Sequence, residues 1–241
     1  MTALDPRDDA GRQHSRPSTP PGARAELEAL VRRGIDWRVD PARSLPRPGA
    51  GRPAAVLVLF GVLDARPADA TDPAVARDLD VLLQRRASTL GHHAGQVSFP
   101  GGRVEPGDAS PEAAAVREAV EETGLDASGV DVLGTLPPLA LPVSDHLVTP
   151  VPAWWSRPSE VAAVDHAETV DVFRVPVADL VDPAHRASVV HDRGGVRVRT
   201  PAFEVAGVLV WGFTAIVLGR MLDELGWSVP WDRSRTVDPW A

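Results

Sequence analysis

The chain has 241 residues, of which 44% are hydrophobic and 24% are charged, and its formal net charge is −8. These values are typical of a soluble globular protein with one main domain, and the acidic balance argues against nucleic acid as a partner. The sequence contains no cysteine, which excludes disulfides, cysteine nucleophiles and thiolate metal sites.

The predicted elements begin with a short amphipathic helix at 24–34, where Leu27, Leu30 and Val31 recur at helical spacing. Further helices are predicted at 111–123 and 212–225. Apolar and β-branched runs predict strands at 54–60, 78–84, 130–134, 147–154, 170–176, 196–200 and 204–211. Strands that alternate with helices in this way predict an α/β fold, in which a mixed sheet is covered by helices on its faces.

No segment predicts secretion or insertion into a membrane. The first residues contain no apolar run, and the longest apolar stretch, 205–219, is short and interrupted by glycine. We therefore expect a cytoplasmic protein with no membrane partner.

Three glutamates, Glu118, Glu121 and Glu122, lie within five residues of one another in the predicted helix 111–123. Like charges three and four residues apart repel by roughly 0.2–0.5 kcal/mol per pair, so a compensating partner is expected. Carboxylates gathered on a rigid helix are typical ligands of hard divalent cations. Arg117, four residues before Glu121, is placed to hold that carboxylate. A solvated glutamate face is the alternative interpretation.

Ser110 is a good N-cap, Pro111 suits the first helical position, and Gly124 predicts a left-handed C-cap. At 100° per residue the three glutamates fall on one side of the helix. The opposite side is predicted to face the core and holds Ala113, Val116, Val120 and Thr123.

A glycine-rich strand and loop, GQVSFPGGRVEPGD (95–108), leads into this helix. The combination resembles the signature of the Nudix hydrolases, Gx5Ex7REUxEExGU, where U is aliphatic. Gly102 takes the first glycine and Gly124 the last. Arg117-Glu118 and Glu121-Glu122 match the RE and EE pairs.

Two departures lie upstream of the glutamates. The position expected to be glutamate is Asp108, and eight rather than seven residues separate it from Arg117. Glu105 or Glu112 are alternatives for the role of that glutamate.

A second resemblance concerns LLQRRASTLGHHAGQVSFPGG (82–102), which is similar to LLxxRSxxLxxHxGQVSFPGG, the motif of the coenzyme A diphosphatase branch. Ala87 stands where that branch has Ser or Thr. The branch shares the aspartate and the extra loop residue. The resemblance covers roughly residues 25–232.

This resemblance implies the Nudix fold, an α-β-α sandwich, and metal-dependent hydrolysis of the diphosphate bond of coenzyme A or its derivatives. The products would be 3′,5′-ADP and 4′-phosphopantetheine. The implied cofactor is Mg²⁺ or Mn²⁺. The metal ligands would be Glu118 and Glu122, with Glu121 as third ligand or base and the Gly102 carbonyl completing the shell; Arg117 would orient Glu121.

The resemblance also implies a substrate-binding group made of Arg86, His93, Gln96 and Gly101. Glu168 is a candidate general base, with a salt bridge or strand-end role as the alternative. Arg85 is either a phosphate contact or an exposed strand-end residue.

Three functions stay open: a coenzyme A diphosphatase, a Nudix hydrolase of another nucleoside diphosphate derivative such as ADP-ribose, and a binding module that lost catalysis. The expected partner is a small nucleotide-like substrate, and the sequence is compatible with a homodimer. The predicted organisation is a flexible extension with one short helix (1–50), a Nudix domain (51–230, with its signature at 102–125) and a tail (231–241).

Overall fold

The computed structural model describes residues 22–37, 51–62, 79–87, 95–141, 144–167, 169–193 and 195–240. The helices are α1 (Ala23–Arg33), α2 (Pro111–Thr123), α3 (Val177–Val181) and α4 (Gly212–Leu225). The strands are β1 (Arg52–Val62), β2 (Leu79–Arg86), β3 (Val97–Ser98), β4 (Gly101–Arg103), β5 (Val130–Val132), β6 (Leu139–Leu141), β7 (His146–Trp155), β8 (Thr169–Pro176), β9 (Arg186–Arg193), β10 (Val196–Val205), β11 (Val208–Val210) and β12 (Thr236–Val237).

The larger sheet is mixed and has β1 at its centre. Strand β1 runs parallel to β7 along nearly its whole length, from the pair Arg52–His146 to the pair Gly61–Trp155. On its other edge β1 pairs antiparallel with β2 and with β4. The short glycine strand β4 therefore lies beside the first half of β1.

Alternate residues of β1 face opposite layers, as the period of a strand requires. Val58 and Phe60 belong to the core that includes α1 and α4. Leu57 and Leu59 belong to the core beneath α2. The sheet is thus covered on both faces, which confirms the predicted α-β-α sandwich.

A second sheet has the order β11-β10-β9-β12. The prediction of separate strands at 196–200 and 204–211 was wrong, because β10 runs unbroken to Val205 and turns back into β11. Ala206 and Gly207 form this turn with φ of 51° and 73°, values that suit a two-residue hairpin. Strand β9, absent from the predictions, pairs with β10 and with β12 near the C-terminus.

The three longer helices appear where the sequence predicted them. Helix α1 buries Leu27 and Leu30 in the main core. The remaining residues of the predicted extension, 1–21 and 38–50, lie outside the described ones, and the division into extension, domain and tail stays a prediction. None of the helices in the described ranges has both the length and the apolar character needed to cross a membrane.

Candidate active site

Helix α2 begins and ends at the residues that the sequence indicated. The Ser110 side chain accepts a hydrogen bond from Ala113 N at 3.3 Å, and Pro111 opens the helix. Gly124 closes it in the left-handed region with φ of 69°. Local capping therefore sets the length of the helix that carries the glutamates.

The face that α2 turns to the sheet differs from the prediction. The buried residues are Ala114, Ala115, Ala119, Glu122 and Thr123. Of the residues expected to face the core only Thr123 is fully buried, and Val120 is 37% exposed. Small alanines let the helix approach β1 and β4 closely, so the carboxylate of Glu122 lies on the sheet side of the helix.

Glycine at 101 and 102 permits close approach between β4, β1 and α2. Gly101 has φ of 153°, and a Cβ there would overlap the backbone of Ala55 and Val56. A Cβ on Gly102 would lie 2.5 Å from Glu118 Oε1 and 2.6 Å from Oε2. The Glu118 carboxylate thus occupies the space that a side chain at 102 would fill.

Glu122 is 8% exposed and is held through one of its oxygens. Its Oε2 accepts hydrogen bonds from Gln84 Nε2 at 2.7 Å and from Gly101 N at 2.8 Å. Arg86 Nη1 lies 3.8 Å from Oε1. Burial raises the pKa of Glu122 to about 7 despite these donors.

Arg117 connects the glutamates to the loop before the helix. Its Nη1 donates to Glu118 Oε1 at 3.0 Å and to Glu121 Oε2 at 3.1 Å. Its Nε and Nη2 donate to both carboxylate oxygens of Asp108 at 2.9 and 3.0 Å. A further bond at 3.1 Å reaches the Arg103 carbonyl. This confirms the predicted contact with Glu121, and the cation offsets part of the repulsion among the glutamates.

Asp108, the departure from the family pattern, is part of this arrangement. Its Oδ2 also accepts from Glu105 N at 2.8 Å, and its own N–H donates to the Glu105 carbonyl at 3.0 Å. The hydrogen bonds from Arg117 hold the pKa of Asp108 below its usual range. Asp108 therefore fastens the loop and positions the guanidinium of Arg117.

The three glutamates do not all converge. The Glu118 side chain is 18% exposed, whereas that of Glu121 is 58% exposed. Among the residues that the structure describes, no group of three His, Asp or Glu side chains is placed to hold a metal ion. Glu118 and Glu122 lie on the side of β4, and Glu121 stays outside, held by Arg117.

The donors present fit a divalent cation. Carboxylate oxygens are the ligands that Mg²⁺ and Mn²⁺ prefer. Burial raises the pKa values of both Glu118 and Glu122 above those of ordinary glutamates, and the charge of Glu118 adds to the effect on Glu122. A cation beside these two poorly hydrated carboxylates would favour their charged forms.

The structure describes some of the predicted substrate-binding residues. Arg86 N donates to the Gln96 carbonyl at 3.0 Å, which joins the end of β2 to the approach to β3. Gly101 contacts Glu122, as described above. His93 and the candidate base Glu168 lie outside the described residues. The Arg85 guanidinium lies 3.7 Å from the Asp171 carboxylate in an exposed ion pair at the end of β2.

Gln84 is a site residue that the sequence reasoning missed. It is fully buried, donates to Glu122, and its Oε1 accepts from Thr169 at 3.4 Å. The alternation of side chains along a strand could have identified Gln84 from the sequence, because Leu82, Gln84 and Arg86 share one face of β2. A buried glutamine on the face that carries Arg86 indicates a polar partner on the covering helix.

Known proteins resemble this chain in sequence and in fold. The NUDIX domain family matches residues 69–193. A protein named uncharacterized Nudix hydrolase NudL, from Cronobacter sakazakii, is 36% identical over 165 residues, which are 68% of this chain and 85% of that protein. Nudix hydrolase 22, chloroplastic, from Arabidopsis thaliana is 35% identical over 150 residues, 59% of this chain and 49% of that protein. The crystal structure of the Nudix hydrolase RenU from M. smegmatis aligns with 52% of this chain and 70% of that chain, at 27% identity and a TM-score of 0.40.

Proposed function

The chain belongs to the Nudix hydrolase family, and from this premise we propose that it hydrolyses the diphosphate bond of coenzyme A or an acyl-coenzyme A. Water is added across the P–O–P linkage, and the products are 3′,5′-ADP and the free or acylated 4′-phosphopantetheine. The observation that carries the choice of substrate is the stretch 82–102, which resembles the coenzyme A diphosphatase motif at every specified position except Ala87.

The contacts between this motif and the glutamates of α2 support the proposal that they form a single site. Strands β2 and β3 pair through Gln84–Ser98 and Arg85–Val97, so the two ends of the motif lie side by side. The motif then ends at Gly101 and Gly102, which contact the glutamates of α2. Residues that select the substrate would therefore adjoin the residues that act on its diphosphate.

Nudix hydrolases use divalent metal ions, and we propose Mg²⁺ or Mn²⁺ held by Glu118 and Glu122, with the Gly102 carbonyl as a further ligand. Glu121 is the weaker candidate for a third ligand, because it is exposed and Arg117 holds it outside this pair. Such an ion, when bound, neutralises diphosphate charge and lowers the pKa of a coordinated water.

The side chains around the carboxylates keep them in position. Gln84 and the Gly101 N–H both bind Glu122 Oε2, which fixes the plane of the carboxylate and leaves Oε1 free of these donors. Arg117 holds Glu118 from the other end of the site. Arg86, whose side chain is 29% exposed and lies next to Glu122, would bind a diphosphate oxygen.

The substrate assignment is tested with a panel of coenzyme A, acyl-coenzyme A, ADP-ribose and NADH at equal concentration with Mg²⁺ or Mn²⁺. Mass spectrometry of the products should show 3′,5′-ADP and phosphopantetheine, with coenzyme A or an acyl derivative having the highest kcat/KM. Cleavage of ADP-ribose far faster than any coenzyme A would reject the coenzyme A assignment and leave the family membership intact.

The roles of the carboxylates are tested with Glu122→Gln, which keeps the shape of the side chain and removes its charge. We expect kcat to fall by about 10²-fold or more, because the variant loses a charged ligand of the metal ion. The unfolding temperature should be maintained, because burial already raises the pKa of Glu122 to about 7 and the fold therefore tolerates an uncharged side chain at this position. Glu121→Gln should lose less activity, since Glu121 is exposed. Glu160→Gln, in an exposed loop, is the control. A Glu122→Gln enzyme with wild-type kcat at saturating metal contradicts the proposed role.

A further inference from the structure

A cleft of about 650 Å³ lies between the smaller sheet, helix α4 and the segment that follows it. Its walls include Arg186 from β9, Arg199 from β10, Asp223 from α4, and Trp231 and Arg233 from the C-terminal segment. None of the glycines or glutamates of the candidate active site lines this cleft.

Arg186 is the most unusual group in the cleft, because it is only 2% exposed and none of the described acidic residues forms an ion pair with it. Its guanidinium lies between two aromatic rings, 4.5 Å from the centre of Phe203 and 4.8 Å from that of Trp231. Within the described part of the chain, its Nη1 donates one long hydrogen bond, 3.4 Å to the Leu180 carbonyl, and its buried Nε has no partner.

Aromatic rings contact the guanidinium of Arg186, but no ion pair neutralises its charge in the part of the chain that the structure describes. Burial lowers the pKa of Arg186 to about 10, so the side chain stays charged at neutral pH. The carboxylate of Asp223 is close enough to favour that charged form, but no ion pair within 4.0 Å joins the two in the described residues. A buried charge without a partner is costly, and a bound counter-ion would remove that cost.

Two more arginines add positive charge to the same cleft. Arg199 and Arg233 both line it and are exposed, and neither forms an ion pair with a described acidic residue. Arg233 lies over the ring of Trp231 at 5.6 Å. Arg220, also in the lining, differs because Glu224 pairs with it. Among the described residues that line the cleft, Arg186, Arg199 and Arg233 therefore carry three positive charges, and Asp223 supplies the one carboxylate.

We propose that this cleft binds the phosphate group of a small molecule, at a site separate from the one that hydrolyses the substrate. Guanidinium groups match phosphate oxygens in geometry and charge, and a phosphate dianion balances the excess positive charge of the cleft. Arg186 supplies the buried donor, and Arg199 and Arg233 close over the ligand from the exposed side. The phosphate comes either from inorganic phosphate or from a nucleotide, and the two sources share this chemistry.

Binding is measured on the full chain with EDTA present, by titrating inorganic phosphate and, separately, 3′,5′-ADP while following tryptophan fluorescence. Trp37 and Trp231 both line the cleft and report on its occupancy. Arg199→Gln and Arg233→Gln should each raise the Kd by about tenfold, the loss expected of one charge-assisted hydrogen bond. Arg197→Gln, an exposed arginine on the same strand that does not line the cleft, should leave the Kd unchanged.

A stronger response to inorganic phosphate than to 3′,5′-ADP assigns the cleft to free phosphate, and the reverse order assigns it to a nucleotide. The proposal is overturned if neither ligand binds, or if the Kd is the same in the wild type, Arg199→Gln and Arg233→Gln. It is also overturned if Arg86→Gln alone abolishes binding, because the ligand would then occupy the candidate active site. The readout is binding, so the result does not depend on whether coenzyme A is the substrate.

Discussion

Replacing Gly102 by alanine tests whether close contact between β4 and helix α2 positions the Glu118 carboxylate. The added Cβ would lie 2.5 Å from Glu118 Oε1. The Cδ atom of Glu118 would be closer still, at 2.4 Å, so the carboxyl group has to move by about 1 Å to reach the 3.4 Å of an ordinary contact. A displacement of that size in a catalytic group lowers the rate by about 10²-fold.

The fold itself should tolerate the same change. Glu118 is the far end of a flexible side chain that is 18% exposed, so it can turn toward solvent. We therefore expect kcat/KM for the best substrate to fall by about 10²-fold with a shift in unfolding temperature of only about 4 °C or less.

Gly107→Ala is the matched control. Gly107 lies in the loop before α2, and a Cβ there would meet no atom within 4 Å. Steady-state kinetics and thermal unfolding of both variants give the comparison. If Gly102→Ala keeps a kcat/KM within about threefold of the Gly107→Ala value, the position of the Glu118 carboxylate does not control the reaction.

Three further predictions concern packing, the missed glutamine and the metal. Ala119→Leu should lower the free energy of unfolding by about 1–3 kcal/mol in urea, because Ala119 is fully buried. Val120→Leu, at an exposed position, should change the free energy of unfolding by less than about 0.5 kcal/mol. Equal effects of the two substitutions would contradict the observed buried face of α2. Gln84→Leu should lower kcat about tenfold, because it removes a hydrogen-bond donor to Glu122. Thr169→Val removes only the 3.4 Å hydrogen bond to Gln84 and should lower kcat less. A larger loss of kcat in Thr169→Val than in Gln84→Leu would contradict this role of Gln84. EDTA should abolish hydrolysis, and added Mg²⁺ or Mn²⁺ should restore it; full activity in EDTA would exclude a metal-dependent reaction.

Arg117 illustrates how much of the site could be inferred without coordinates. Its contact with Glu121 followed from the four-residue spacing on a helix, and the structure confirms it at 3.1 Å. Its bidentate bond to Asp108 did not follow from spacing, because it depends on how the loop turns back at Glu105. The family signature marked a departure at Asp108, and the structure shows what that residue contacts.

The sequence by itself determined the features that depend on neighbours along the chain. Ser110, Pro111 and Gly124 set the bounds of α2, and apolar periodicity placed the main strands and the longer helices, because capping and periodicity are local interactions. The order of residues around the glutamates likewise identified the family.

Only the tertiary structure decided which side of α2 is buried and which groups meet there. Glu122 binds Gln84, 38 positions away, through a contact that exists only when β2 and α2 pack on the same layer. The phosphate cleft proposed around Arg186 likewise joins two strands, a helix and the C-terminal segment. Long-range packing creates both the Glu122 site and the Arg186 cleft, because it buries together, away from water, groups that lie far apart in the sequence.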